Sequence, residues 1–118
     1  MQKTETLLPG KVYKIIQHGN GHDILFFNSG NKSYFQKLVE RHLMAISVVL
    51  DLQLEQRRIQ VILKIKPEED IPEKYREKLH LPISNLFNSY AKSINKRYNR
   101  KGSLFRVRFE RQQLQLPE

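Results

Sequence analysis

The sequence predicts an α+β domain of ferredoxin-like type, ordered βαββαβ, with a four-stranded antiparallel sheet and two helices on one face. Three observations predict it. Two runs with period-two alternation lie a few residues apart in mid-chain. Helical-period apolar stripes flank that pair on both sides. Strand-like segments sit near the two ends of the chain.

The elements follow in order. Lys11 to His18 (KVYKIIQH) is rich in β-branched and aromatic residues and follows Pro9-Gly10, which predicts the first strand. GNGHD, Gly19 to Asp23, predicts a loop. From Asn31, a candidate N-cap, Tyr34, Phe35, Leu38, Val39 and His42 or Leu43 recur at helical spacing and predict the first helix. Val48, Leu50, Leu52 and Leu54 alternate with Val49, Asp51, Gln53 and Glu55, as in a strand covered on one face. Ile59, Val61, Leu63 and Ile65 repeat the pattern, and the Glu55-Gln56-Arg57 gap is short enough for an antiparallel hairpin. Pro67 to His80 is charged, carries two prolines and reads as a connection with room for a short helical turn. Pro82 suits the first position of the second helix, whose apolar stripe is Ile83, Leu86, Phe87, Tyr90, Ala91, Ile94 and Tyr98. Asn99 to Gly102 ends it. Phe105, Val107 and Phe109 alternate with Arg106 and Arg108 as the last strand.

At 118 residues the chain, 1-118, reads as a single domain. It has no cysteine, which excludes a disulfide framework or a thiolate zinc site. The N-terminus holds too short an apolar stretch for a signal peptide, and no run reaches the roughly 18 apolar residues of a membrane span. A soluble chain with a cytoplasmic location and no membrane partner is the expectation.

The formal net charge is +9 and is unevenly spread. Lys92, Lys96, Arg97, Arg100, Lys101, Arg106, Arg108 and Arg111 face Glu110 alone within one segment. Such a density predicts a polyanion partner, since each phosphate neutralised releases condensed counterions. In the predicted fold one sheet face is open. The third strand would send Arg58, Gln60, Ile62, Lys64 and Lys66 to it, and the last strand Arg106 and Arg108, where a phosphate backbone could lie.

SNLFNSYAKSINKRYNRKGSLF, Ser84 to Phe105, resembles the corresponding helix and strand start of the REP-associated tyrosine transposases, relatives of the single-tyrosine HUH transposases of bacterial insertion sequences. The resemblance extends through LPGKVYKIIQHGNGHDILFFN (Leu8 to Asn28), Tyr34-Phe35 and VILKIK (Val61 to Lys66), nearly the whole chain in one register. It implies the ferredoxin-like fold and cutting and rejoining of single-stranded DNA at hairpin-forming sites. In that family two histidines flanking a hydrophobic residue on the third strand hold Mg²⁺ or Mn²⁺, and a tyrosine on a helix after the last strand is the nucleophile.

The sequence departs from that pattern where the chemistry would occur. Aligned through Leu63-Lys64-Ile65-Lys66, the family's Pro-Asn-His-hydrophobic-His falls on Gln56, Arg57, Arg58, Ile59 and Gln60, so the histidine positions hold Arg58 and Gln60. Arginine has no lone pair for a metal, and a lone glutamine carbonyl is a weak ligand. Past Arg111 only QQLQLPE follows, without a tyrosine, so the tyrosine helix is expected to be missing. No catalytic residue, metal or cofactor is therefore expected.

Substitutes are not evident. His18 and His22 straddle the glycine loop, and His42 and His80 form no close pair. Tyr90 and Tyr98 lie on the apolar stripe and predict core packing. Gly19 and Gly21 lack a following GK[ST] or GxxG, so no nucleotide or other small-molecule site is expected. The sequence also shows no triad order and no carboxylate pair on a predicted sheet face.

The expectation is a transposase-like domain that binds single-stranded or hairpin DNA without cleaving it. The residues expected to hold DNA are Arg57, Arg58, Lys64, Arg106 and Arg108 on or beside the open face, with Lys92, Lys96, Arg97, Arg100 and Lys101 on the second helix and its exit. Two alternatives stand beside it. Lys101-Gly102-Ser103-Leu104-Phe105 begins like an RNA-recognition signature, although on the last strand and without its aromatic and small residues. A remnant whose charge is idle is the other.

Overall fold

The computed structural model describes residues 5–106 and 108–115. It contains β1 (Val12–His18), α1 (Ser29–Leu43), β2 (Ser47–Leu54), β3 (Arg58–Ile65), α2 (His80–Arg97) and β4 (Glu110–Leu114). The sheet order is β2-β3-β1-β4 with every neighbouring pair antiparallel. This is the α+β, ferredoxin-like order that the sequence predicts.

Alternation on the central strands decides which face is covered. Tyr13 and Ile15 of β1, with Ile59, Val61, Leu63 and Ile65 of β3, are almost fully buried. Phe35, Leu38, Val39 and Leu43 of α1 and Ile83, Leu86, Phe87, Tyr90 and Ile94 of α2 join them in one core. Burial of each such side chain stabilises the fold by about 1.5–3 kcal/mol. At its centre Phe35 meets Tyr90 edge-on at 5.1 Å, and the Tyr90 hydroxyl donates to the Leu25 carbonyl at 2.6 Å. The core role expected for Tyr90 is thus observed, and burial pushes its phenol well above the usual tyrosine range.

Helix boundaries differ from the sequence expectation by two or three residues. Asn28, not Asn31, caps α1, accepting from the Asn31 N–H at 2.9 Å. Asn31 turns inward instead, where its Oδ1 accepts the Phe27 N–H at 2.8 Å. α2 starts at His80, ahead of Pro82. Proline is still tolerated there because N–H groups of the first turn have no helical acceptor. Between β3 and α2 lie two 3₁₀ turns, Glu68–Asp70 and Glu73–Tyr75, and Ile71 and Leu79 anchor this connection in the core.

Two strand expectations are corrected. On β2 the register shifts between Val49 and Asp51, a bulge at Leu50. Val49, Leu52 and Leu54 therefore pair opposite core-facing residues of β3, while Val48 and Leu50 are about half exposed. The unbroken face Val48-Leu50-Leu52-Leu54 does not form.

The last strand starts at Glu110 and not at Phe105. Phe105 does make an isolated bridge to Gly19, and the Arg106 N–H donates to the His18 carbonyl at 3.0 Å. There the ladder is interrupted by Gln17, a buried glutamine on β1. Its Nε2 reaches the Arg106 carbonyl at 3.4 Å and its Oε1 accepts the His18 N–H at 3.0 Å. Between the Phe105–Gly19 and Glu110–Ile16 pairings the chain holds two residues more than β1 does, so Arg106 and Arg108 fall in an irregular segment. Val107, the middle of the expected strand, lies outside the described residues.

Candidate nucleic-acid interface

The strand register composes the face that the helices leave open. β1 and β3 set His18 opposite Arg58, Ile16 opposite Gln60, Lys14 opposite Ile62 and Val12 opposite Lys64. β4 extends these rows with Glu110, Gln112 and Leu114, and β2 extends them with Gln53, Asp51 and Val48. The third-strand set Arg58, Gln60, Ile62 and Lys64 lies on this face as expected, whereas Lys66 follows the end of β3. Lys14 and His18 were not among the expected binding residues. The alternation of Tyr13, Ile15 and Gln17 inward was the signal that could have found them.

At one end of this face, Arg58 and Gln60, the positions at which the resemblance implies metal ligands, belong to a polar cluster. The Arg58 guanidinium donates to Gln60 Oε1 at 2.8 Å and to Glu55 Oε2 at 3.0 Å, and across the sheet His18 Nε2 lies 3.4 Å from Glu110 Oε2. Gln60's carbonyl oxygen is thus already an acceptor for a cation of the chain itself. A divalent ion brought between these side chains would meet the fixed positive charge of Arg58. The donor set does not fit Mg²⁺ or Mn²⁺. An oxyanion would reach the Arg58 guanidinium by displacing the Glu55 carboxylate, which now takes one of its N–H donors while Gln60 takes another.

A second feature arises from the interruption before β4. Because the chain swings away from β1 after Arg106, a groove of about 640 Å³ opens between α2 and the returning segment. Ser84, Asn88, Lys92 and Asn95, spaced along one helical face, form one wall. Ser103, Leu104, Phe105, Arg106 and Phe109 form the other. Lys92 and Arg106 are both exposed, one cation on each wall.

The remaining expected binding residues divide by their partners. Arg57 is exposed in the β2–β3 turn, and its carbonyl accepts the Gly19 N–H at 2.8 Å. Lys64, Lys96, Arg97, Lys101 and Arg108 are exposed. Arg100 is engaged with Asp23 and with the Asn95 side chain, and Asn95 Nδ2 also holds the Gly102 carbonyl at 3.0 Å. That network fixes the turn through Asn99, whose φ of 50° is left-handed, and ties α2's exit to the Gly19–Asp23 loop. Arg111 turns to the core side of β4, opposite Ile15, with its guanidinium 5.1 Å from the Phe109 ring centre. Burial lowers its pKa.

The structure therefore brings the expected residues to two surfaces rather than one. Arg58 and Lys64 share the open sheet face with Gln60. Lys92 and Arg106 share the groove beside α2. Among the described residues the open face of β1 and β3 carries no phenylalanine, tyrosine or tryptophan, and its one ring able to stack on a base is the imidazole of His18.

No family model matches the sequence, and no curated protein matches it. The fold is similar to a solved structure of a REP-associated tyrosine transposase bound to a REP hairpin, with a TM-score of 0.66 at 7% identity over 99% of this chain. The chain spans 64% of the length of that protein.

Proposed function

We propose that this chain is a transposase-like domain that holds single-stranded or hairpin DNA without cutting it. The observation that carries the reading is the groove with exposed Lys92 and Arg106 on its opposite walls, within a segment whose excess of cations leaves Glu110 as its sole acid. A backbone of phosphates fits such walls. The similarity of fold to a transposase described as bound to a hairpin supports DNA as the partner.

On this reading Arg58 supplies a permanent charge where a divalent ion would polarise a phosphate, so contact is kept and cleavage is lost. Binding needs no Mg²⁺ or Mn²⁺, and the site of action is the cytoplasm. Incubation with hairpin-bearing single-stranded DNA and Mg²⁺ or Mn²⁺ tests the proposal. Retention of the DNA in a native gel, unaffected by EDTA, with no covalent adduct on a denaturing gel, is the expected result. Site-specific cleavage with a protein–DNA adduct would overturn it. Preference for an RNA of equal length over the DNA would favour the RNA-binding alternative.

A further inference from the structure

Leu25, Phe26 and Phe27 lead into α1, and the backbone sends the two phenylalanines to opposite sides. Phe26 is buried at 4% exposure against Phe35 and Tyr90, while Phe27 is 48% exposed and takes no part in the core. Its ring lies 4.5 Å from that of Tyr98, tilted by 42°. The Arg97 guanidinium stands over the Tyr98 ring at 5.9 Å. Phe27 thus packs on the half-buried Tyr98 and leaves about half of its own surface to solvent, next to the Arg97 cation.

The pair is also held in place. The Phe27 N–H donates to Asn31 Oδ1 at 2.8 Å, and the Tyr98 hydroxyl accepts from Asn31 Nδ2 at 3.1 Å. Asn28, the cap of α1, adds a 3.4 Å bond from its Nδ2 to the same hydroxyl. Both rings are thus oriented from the N-terminus of α1 before any ligand arrives, which removes part of the ordering cost of binding. Tyr98 follows Asn95 of the groove by one helical turn, so the platform and the groove sit at the same end of α2.

We infer that Phe27 and Tyr98 form a stacking platform for one unpaired base of a bound DNA strand, with Arg97 and the neighbouring exposed Lys101 facing its phosphates. Aromatic faces accept any base, and cations beside them supply the charge complement that an apolar docking site for protein would lack. The inference rests on the DNA-binding reading and adds to it a contact with bases, at residues outside the basic set expected from the sequence.

The chain has no tryptophan, so Phe27→Trp places a single indole fluorophore on the platform. Binding of wild type, Phe27→Ala and Phe27→Trp is measured with a short oligothymidylate and with an abasic strand of equal length. Thermal melts of each variant monitor folding. The expected result is about tenfold weaker oligothymidylate binding by Phe27→Ala, the scale of one lost base–aromatic stack. The abasic strand should bind the alanine variant as it binds wild type. Phe27→Trp should restore affinity, and its fluorescence should be quenched by oligothymidylate and not by the abasic strand. Equal binding of oligothymidylate by wild type and Phe27→Ala, or indole fluorescence of the Phe27→Trp variant left unquenched at saturation, overturns the platform while leaving the DNA-binding reading intact. Failure of wild type to bind either strand at low salt overturns both.

Discussion

Neutralising the two groove cations together, Lys92→Gln with Arg106→Gln, separates phosphate contact from idle charge. Both side chains are exposed and make no ion pair among the described residues, so their removal should leave stability within about 0.5 kcal/mol. For single strands, each phosphate contact contributes about 0.7 to the dependence of log affinity on log salt. Loss of two contacts should therefore flatten that slope by about 1.4, and at about 0.1 M salt it should weaken binding about 25-fold. Fluorescence anisotropy of a labelled hairpin with single-stranded flanks, titrated at several salt concentrations, reads both quantities. Arg100→Gln is the contrasting variant. Its guanidinium is committed to Asp23 and Asn95, so it should lower the unfolding midpoint more than the salt slope. A double groove variant whose slope equals that of wild type would refute the assignment of Lys92 and Arg106 to phosphates.

Further outcomes follow from single features of the fold. The double change Arg58→His with Gln60→His places imidazoles two residues apart on the open face of β3, with His18 directly across from position 58. It should create one site for Zn²⁺ or Ni²⁺ detectable by calorimetry, and a titration indistinguishable from wild type would show that the register is wrong. Tyr90→Phe leaves the Leu25 carbonyl without its 2.6 Å donor and should cost about 1–3 kcal/mol in urea unfolding. The same variant has a pH consequence. Because burial raises the Tyr90 pKa, the unfolded chain loses its proton first. Stability should therefore fall as pH rises above about 10, and the fall should be shallower in the variant. Gly19→Ala would bring a Cβ to 2.7 Å from the Asp23 carbonyl oxygen, a clash with backbone that should destabilise the fold by about 1–3 kcal/mol in the same assay.

The parts of the fold legible in the sequence are those fixed by local periodicity. Tyr13 and Ile15 on β1, Ile59 to Ile65 on β3 and the stripes of both helices face the core as their spacing predicts, because burial on one face is enough to set them. The illegible parts depend on partners distant in sequence. Nothing local to Val48–Leu54 announces a bulge at Leu50, which is defined only against β3. Phe105 to Phe109 alternates like a strand, but the Gln17 side chain occupies both ends of the exchange there, its Oε1 accepting the His18 N–H and its Nε2 donating to the Arg106 carbonyl.

The candidate site divides in the same way. Charge density points to the segment from Lys92 to Arg111, where Lys92, Lys96, Arg97, Lys101, Arg106 and Arg108 are exposed. Which of those cations are free was not readable, because Asp23, Arg100's partner, lies on a loop 77 residues away. Phe27 escaped notice for a simpler reason. The segment between the glycine loop and the first helix has no periodicity from which a face could be assigned, and there Leu25 and Phe26 are both buried while Phe27 is not.

Titration of isotopically labelled protein with hairpin-bearing single-stranded DNA, followed by amide chemical shifts, tests the DNA-binding account most directly. The account predicts salt-sensitive shifts on the open face at Arg58, Gln60 and Lys64, along the groove at Lys92, Asn95 and Gly102 to Arg106, and at Phe27 and Tyr98. Shifts confined to exposed residues away from these surfaces, such as Leu8 and Met44, or no shifts at low salt, would contradict it.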